Sequence, residues 1–322
     1  MARMARMARE VRGSRASPST PAAHRRALRR AALLVVGVLG AAALLAACSP
    51  LGAIDALTPR GSHRATPDVA YGPLARQKLD VYEPLGTPPA AGWPVAVFFY
   101  GGTWVAGARA DYRFVGEALA ARGVLALVAD YRVYPEVTYP GFLEDSAAAV
   151  AFALEQAERW HGDRGRVVVM GHSAGGYNAA MVALDSRWLA AAHHRPRELA
   201  GWIGLAGAYD VFPLEPTSPA RPVFHHPDYP PRGQPIDWTA PGLDRAPRAF
   251  LAAPAADKVV SVERSTLQLA RLLREAGVPV ESKVYGGIGH ALLVGAFARP
   301  LRAVAPVLDD VVRFIDETPP VR

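Results

Sequence analysis

A chain of 322 residues that is 51% hydrophobic and only 20% charged holds enough apolar material for one sizeable core plus extra segments; two domains fit by length, but no linker in the middle supports a split. The formal net charge of +7 belongs to the N-terminus: residues 1–47 hold nine arginines and one glutamate, and the remainder carries 27 basic against 28 acidic residues. That balance excludes a nucleic-acid-binding face on the folded body.

Residues 1–30 are arginine-rich and open on a threefold Met-Ala-Arg repeat; the next 17 residues, AALLVVGVLGAAALLAA, carry no charge. A basic region followed by a short apolar run reads as a secretory signal. An uncleaved membrane anchor is the alternative, although this run is at the short end for a span. Cys48, the only cysteine, closes the run as Leu45-Ala46-Ala47-Cys48. The segment resembles a bacterial lipoprotein signal. That resemblance implies removal of residues 1–47, lipidation of the Cys48 thiol, and membrane attachment in the bacterial cell envelope. Ala46 and Ala47 suit a peptidase subsite, and a single cysteine leaves no internal disulfide. Cys48 with residues 49–68, small, polar and proline-containing, is expected to be a flexible tether. Residues 69–322 form the folded body.

Along that body, QKLDVYEP alternates as a half-exposed strand, and PVAVFFY is a buried-strand run ending in Gly101-Gly102. Helical spacing follows over 111–122, then the buried-strand run VLALVAD, then an alanine-rich helix over 142–160. RVVVM precedes GHSAGG, and a helix is expected from Gly175 to about Leu184. WIGLAG, AFLAAP and VESKVYG are the later strands, with helices over 260–276 and 301–317. Alternating β and α units with apolar strands imply an α/β fold, a mostly parallel sheet with helices on both faces. Between Val211 and Pro247 the rhythm breaks: ten of 37 residues are proline. Prolines forbid long helices and central strands there, so this stretch is expected to form a cap-like wall over a pocket, which His225 and His226 could line.

GHSAGG places Ser173 between glycines 171 and 175. Alone, the pentapeptide fits either a glycine-rich turn or a nucleophile. A strand before it and a helix after it are the context of a nucleophile elbow, in which the serine stands above the sheet edge and the helix amides point at it. His172 adjoins the serine and is expected to be structural, with a side chain diverging from Ser173 Oγ.

LDVYEP, FFYGGTWVAG, ADYRVYP, GDRGRVVVMGHSAGG, the DKVV segment and GIGH occur in this order from about Tyr71 onward. In this the chain resembles the α/β-hydrolase superfamily, within the esterase and lipase group that includes hormone-sensitive-lipase-like and arylformamidase-like enzymes. The resemblance implies an α/β-hydrolase fold and a catalytic triad of Ser173, Asp257 and His290, in the chain order of this fold. It further implies a serine hydrolase of small-molecule carboxylic esters, working through an acyl-enzyme, with no metal and no cofactor. Oxyanion donors are expected at Gly101, Gly102 and Ala174.

Where relatives usually read His-Gly-Gly-Gly, this chain reads Tyr100-Gly101-Gly102-Thr103. Tyr100 is expected to brace the loop through its hydroxyl. Asp130, Tyr131 and Arg132 should tie loops together, and Asp145 should open a helix, without doing chemistry. An arylformamidase-like amidase is the alternative activity, and a non-catalytic binding module on this fold is the alternative of another class. The elbow of a prolyl-oligopeptidase-type peptidase usually carries tryptophan and tyrosine around the serine, and His172 and Ala174 here speak against that activity.

Overall fold

In a computed structural model describing residues 54, 57–240 and 246–321, the apolar runs become strands β2 (Lys78–Pro84), β3 (Trp93–Phe99), β4 (Leu125–Ala129), β5 (Gly162–His172), β6 (Gly201–Leu205), β7 (Arg248–Pro254) and β8 (Val280–Tyr285), preceded by β1 (His63–Ala70). The signal segment and Cys48 lie outside the described residues. The eight strands form one sheet in the order β1-β2-β4-β3-β5-β6-β7-β8. From β4 to β8 every pairing is parallel, while β1 and β2 run antiparallel at one edge. Every residue of β4 and β6 is buried, as expected of central strands covered on both faces. This is the mostly parallel α/β sheet anticipated from the alternating pattern, and the α/β-hydrolase fold that the resemblance implied.

The covering helices are α1 (Arg113–Ala120), α2 (Gly141–Gln156), α3 (Ala174–Leu184), α4 (Ser186–Ala191), α5 (Gln268–Glu275), α6 (His290–Gly295) and α7 (Val307–Asp316). All of α3, AGGYNAAMVAL, is buried; its small residues let it lie close against β5 and β6. Two expected helices are shorter than their periodicity suggested. The 260–276 stretch opens as a π-helical turn over Val262–Leu267, capped by the Ser261 hydroxyl on Arg264 N, before α5 begins. The 301–317 stretch divides at Pro306 into a 3-10 turn, Arg299–Val304, and α7, because proline cannot continue a helix and suits its start.

The tether expected up to residue 68 is corrected from His63 onward, since His63–Ala70 is the edge strand β1, paired with β2. Most of β1 is exposed, so it carries no apolar alternation to read. Backbone pairing holds it, and Pro67 sits where the register shifts between Thr66 and Val69, a place where a missing amide costs no ladder bond.

From β3 the chain crosses to β4 on one side and then to β5 on the other. In open parallel sheets such a reversal opens a crevice beyond the carboxyl ends of the strands. Gly101-Gly102 and Ser173 both lie at this point. The proline-rich stretch between β6 and β7 supplies the wall expected of it. Its anchor is Phe224, fully buried, whose ring meets Trp104 at 4.8 Å, Tyr177 at 5.6 Å and Phe142 at 5.7 Å. Gln234 Oε1 accepts from the amides of Val211 (2.6 Å) and Phe212 (2.7 Å), tying the ends of the wall together.

Candidate active site

β5 ends at His172 and α3 begins at Ala174, so Ser173 alone makes the turn. Its backbone sits at φ 55°, ψ −119°. Residues with side chains rarely adopt such positive φ, and holding one there costs on the order of 1–3 kcal/mol. The surroundings over-determine it. Ser173 N donates to Leu205 O at 2.9 Å, and the elbow glycines admit no side chain. A methyl on Gly171 would stand 2.1 Å from Gly175 O, and one on Gly175 would stand 2.0 Å from Phe99 O. Close packing on both sides thus forces the serine outward, where it lines a cleft of about 400 Å3.

Asp257 lies in the loop after β7, and His290 is the first residue of α6, just past the glycine-rich turn that follows β8. Although 33 residues apart, the two meet: His290 Nδ1 donates to Asp257 Oδ2 at 2.7 Å. The other carboxylate oxygen accepts from the amides of Val259 (2.8 Å) and Val260 (3.1 Å). With its side chain only 1% exposed, Asp257 is aimed by its own loop. Because Nδ1 carries the hydrogen, Nε2 is left as the acceptor a serine proton requires. No hydrogen bond joins Ser173 Oγ to His290 among the described residues; in substrate-free enzymes that contact is often long and tightens on binding.

His172 was expected only to diverge from the serine. Its ring instead reaches the base: His172 Nε2 donates to the His290 carbonyl at 3.0 Å, and the two rings are 4.8 Å apart. Burial, and next the neighbouring His290, push the His172 pKa down to about 3, so this imidazole is neutral beside the base.

The loop after β3 approaches the elbow closely, since a methyl on Gly101 would stand 3.0 Å from Ser173 Cβ. Gly102 needs its glycine: φ is +134°, and a methyl would fall 2.2 Å from Ala106 O. Thr103 and Trp104 follow at φ 56° and 58°. Burial pushes the Tyr112 hydroxyl up to about 12, while the backbone of Gly101 against it works the other way. The amides of Gly101, Gly102 and Ala174 all lack a backbone acceptor among the described residues.

Tyr100 braces this loop as expected. Its hydroxyl donates to Asp130 Oδ1 at 2.9 Å and accepts from Arg76 Nη2 at 2.9 Å, and its ring stacks on Tyr131 at 4.7 Å. Tyr131 closes the tie by donating its hydroxyl to Tyr100 O at 2.8 Å. Arg132 grips Asp145 with Nε and Nη2, both at 2.8 Å. The sequence reading missed Arg76 and Arg109. Arg109 pairs with Asp68, Asp80 and Asp130 at once, and those carboxylates come from separate segments that no linear pattern connects.

The cleft beside Ser173 is walled by Trp104 and Ala208, by residues between Val211 and Ala220 of the proline-rich stretch other than Phe212 and Pro216, and by Val259 and Val260 beyond Asp257. His225 and His226 are not among its lining residues, contrary to expectation. His225 turns its ring to Tyr139 O at 2.9 Å, and His226 bonds Tyr229 at 3.0 Å, so both serve to fold the wall.

Residues 142–318, more than half of the chain, match the model of the prolyl oligopeptidase family. The chain belongs to that family. His172 and Ala174 at the elbow therefore do not place it outside the family, whatever they say of peptidase activity. Residues 79–198 also match a family described as BD-FAE. Esterase LipC of Mycobacterium tuberculosis is 31% identical over 267 residues, 76% of this chain and 65% of LipC. A probable isoprenylcysteine alpha-carbonyl methylesterase of Oryza sativa subsp. japonica is 31% identical over 157 residues, 47% of this chain. The chain spans just 37% of that rice protein's length. Among solved structures, an esterase B from Lactobacillus rhamnosis inhibited by a tributyrin phosphonate superposes with a TM-score of 0.69 at 19% identity, covering 88% of this chain and 94% of its own. At that identity the likeness shows the shared fold.

Proposed function

We propose that the chain is a serine hydrolase that cleaves carboxylic esters of small molecules through an acyl-enzyme on Ser173. The observation that carries the reading is the Asp257–His290 hydrogen bond at 2.7 Å, delivered to the same sheet end as a serine held at φ 55°. His290 Nε2 takes the Ser173 Oγ proton as the oxygen attacks the ester carbonyl, and Asp257 stabilises the imidazolium that results. The amides of Gly102 and Ala174 receive the developing oxyanion, each worth about 3 kcal/mol of transition-state stabilisation. His290 then protonates the leaving alkoxide. A water activated by the same imidazole hydrolyses the acyl-enzyme and returns the proton to Ser173.

Matches to an esterase and a methylesterase support the ester class. The test is hydrolysis of p-nitrophenyl esters of graded acyl length alongside an aryl formamide. Ester turnover with burst kinetics is expected. Faster cleavage of the formamide would assign the amidase activity instead, and turnover of neither, with no fluorophosphonate label, would make the chain a binding module.

The same proposal places the enzyme in the bacterial cell envelope as a lipoprotein held by Cys48. Its support is the arginine-rich start, the 17-residue uncharged run and the single cysteine that ends it. Among the described residues, no helix is long and apolar enough to cross a membrane. Cys48→Ser is expected to move the protein from the detergent phase to the aqueous phase and to abolish the mass increment of the lipid. Retention in the detergent phase at unchanged mass would rule lipidation out.

A further inference from the structure

We infer that His172 is a positioning residue for the base, holding the backbone of His290 at the elbow through a single neutral donor hydrogen bond; this rests on the serine-hydrolase reading. His172 lies between the parts of the site that must keep register. On one side its Nε2 donates to the His290 carbonyl at 3.0 Å. On the other, its Nδ1 faces the oxyanion loop, since a methyl on Gly101 would come within 3.2 Å of it. Along the chain it is bonded to Ser173. One side chain therefore bonds the base's backbone and faces Gly101 of the oxyanion loop while adjoining the nucleophile.

His290 needs such a hold. It begins α6, a helix of six residues, and its N-cap Gly289 provides no side-chain cap. The turn before it contains Gly286, Gly287 and Gly289, around none of which an added methyl would meet any atom within 4 Å. Ile288 is the one buried residue of that turn, so a single side chain seats it. The Asp257 bond sets the orientation of the imidazole ring, while the His172 bond fixes where the backbone carrying it begins.

Histidine suits the position for reasons of charge and direction. With Nε2 carrying its hydrogen, a neutral His172 keeps a lone pair on Nδ1, and that atom is buried with no hydrogen-bond partner among the described residues. A proton there would put a second cation 4.8 Å, ring to ring, from an imidazole that becomes cationic in each acyl transfer. The facing titratable groups are His290 and, through it, Asp257. A cationic side chain at 172 would compete for the Asp257 carboxylate, whereas a neutral donor anchors the backbone and leaves that carboxylate to His290.

The test compares His172→Phe, which keeps a ring and removes the donor, with His172→Gln, whose amide nitrogen can occupy the place of Nε2. Full-length protein is assayed for kcat and KM on p-nitrophenyl acetate, and thermal melting confirms that each variant is folded. His172→Phe is expected to lose roughly 10- to 100-fold in kcat, the scale of a small misplacement of a catalytic group, with KM within about twofold. His172→Gln is expected to recover most of the loss. A folded His172→Phe with wild-type kcat, or a His172→Gln no better than His172→Phe, would overturn the inference while leaving the hydrolase reading intact. Ser173→Ala that still turns over the ester would remove the hydrolase reading itself, whatever position 172 does.

Discussion

Ser173→Ala is expected to lower kcat on p-nitrophenyl esters by roughly 10^4-fold or more, the scale seen when the nucleophile of a triad is removed. Fluorophosphonate labelling should vanish with it. The fold should hold, because alanine keeps the Cβ that Ser173 already fits at φ 55°, and the flanking glycine contacts are untouched. Ser173→Gly sharpens the argument, since glycine accepts positive φ without the penalty that a side chain carries. It should be equally inactive but melt higher than the alanine variant. Labelling that persists in either variant would move the nucleophile elsewhere and defeat the assignment.

Loss of Arg109 should produce the largest change in stability. Its guanidinium is shared by Asp68, Asp80 and Asp130, with side-chain exposures of 64%, 13% and 8%. The exposures decide where the energy lies. The Asp68 contact is a surface pair, of which the typical worth is below about 1 kcal/mol. Asp80 and Asp130 are largely out of water, and removing their counter-charge leaves two carboxylates uncompensated. Breaking a buried pair in this way costs about 3–5 kcal/mol. Arg109→Met, which retains an apolar stem, should therefore melt roughly 6–20 °C lower, given about 2–4 °C per kcal/mol for domains of this size. Asp68→Asn should shift the melt by roughly 4 °C or less. Equal shifts in the two variants would show the network to be ordinary surface pairing. Asp130 also accepts the Tyr100 hydroxyl, so Arg109→Met should in addition lower kcat by loosening the oxyanion loop.

The family resemblance located Ser173, Asp257 and His290 by order and context, and the structure joins Asp257 to His290 and both to the elbow through His172. It was less informative where a role depends on contacts between distant segments. His172 looked structural because a sequence shows only its neighbour, Ser173, and not the carbonyl 118 positions away that its ring meets. Arg109 carried no signal because its three partners lie on β1, β2 and the loop after β4. Edge strand β1 was taken for tether because an exposed strand held by backbone pairing needs no apolar alternation.

The sequence alone determined the alternation of strands and helices, because a strand buried on both faces must be continuously apolar and a turn as tight as the elbow must be flanked by glycine. The reacting groups were proposed from the family resemblance carried by GHSAGG, the DKVV segment and GIGH. The tertiary structure decided what lies between those groups: which arginine holds the loop carboxylates and which histidine ring reaches the His290 carbonyl. Those are matters of a few tenths of an ångström between segments far apart in the chain, set by packing against the whole sheet rather than by any local pattern.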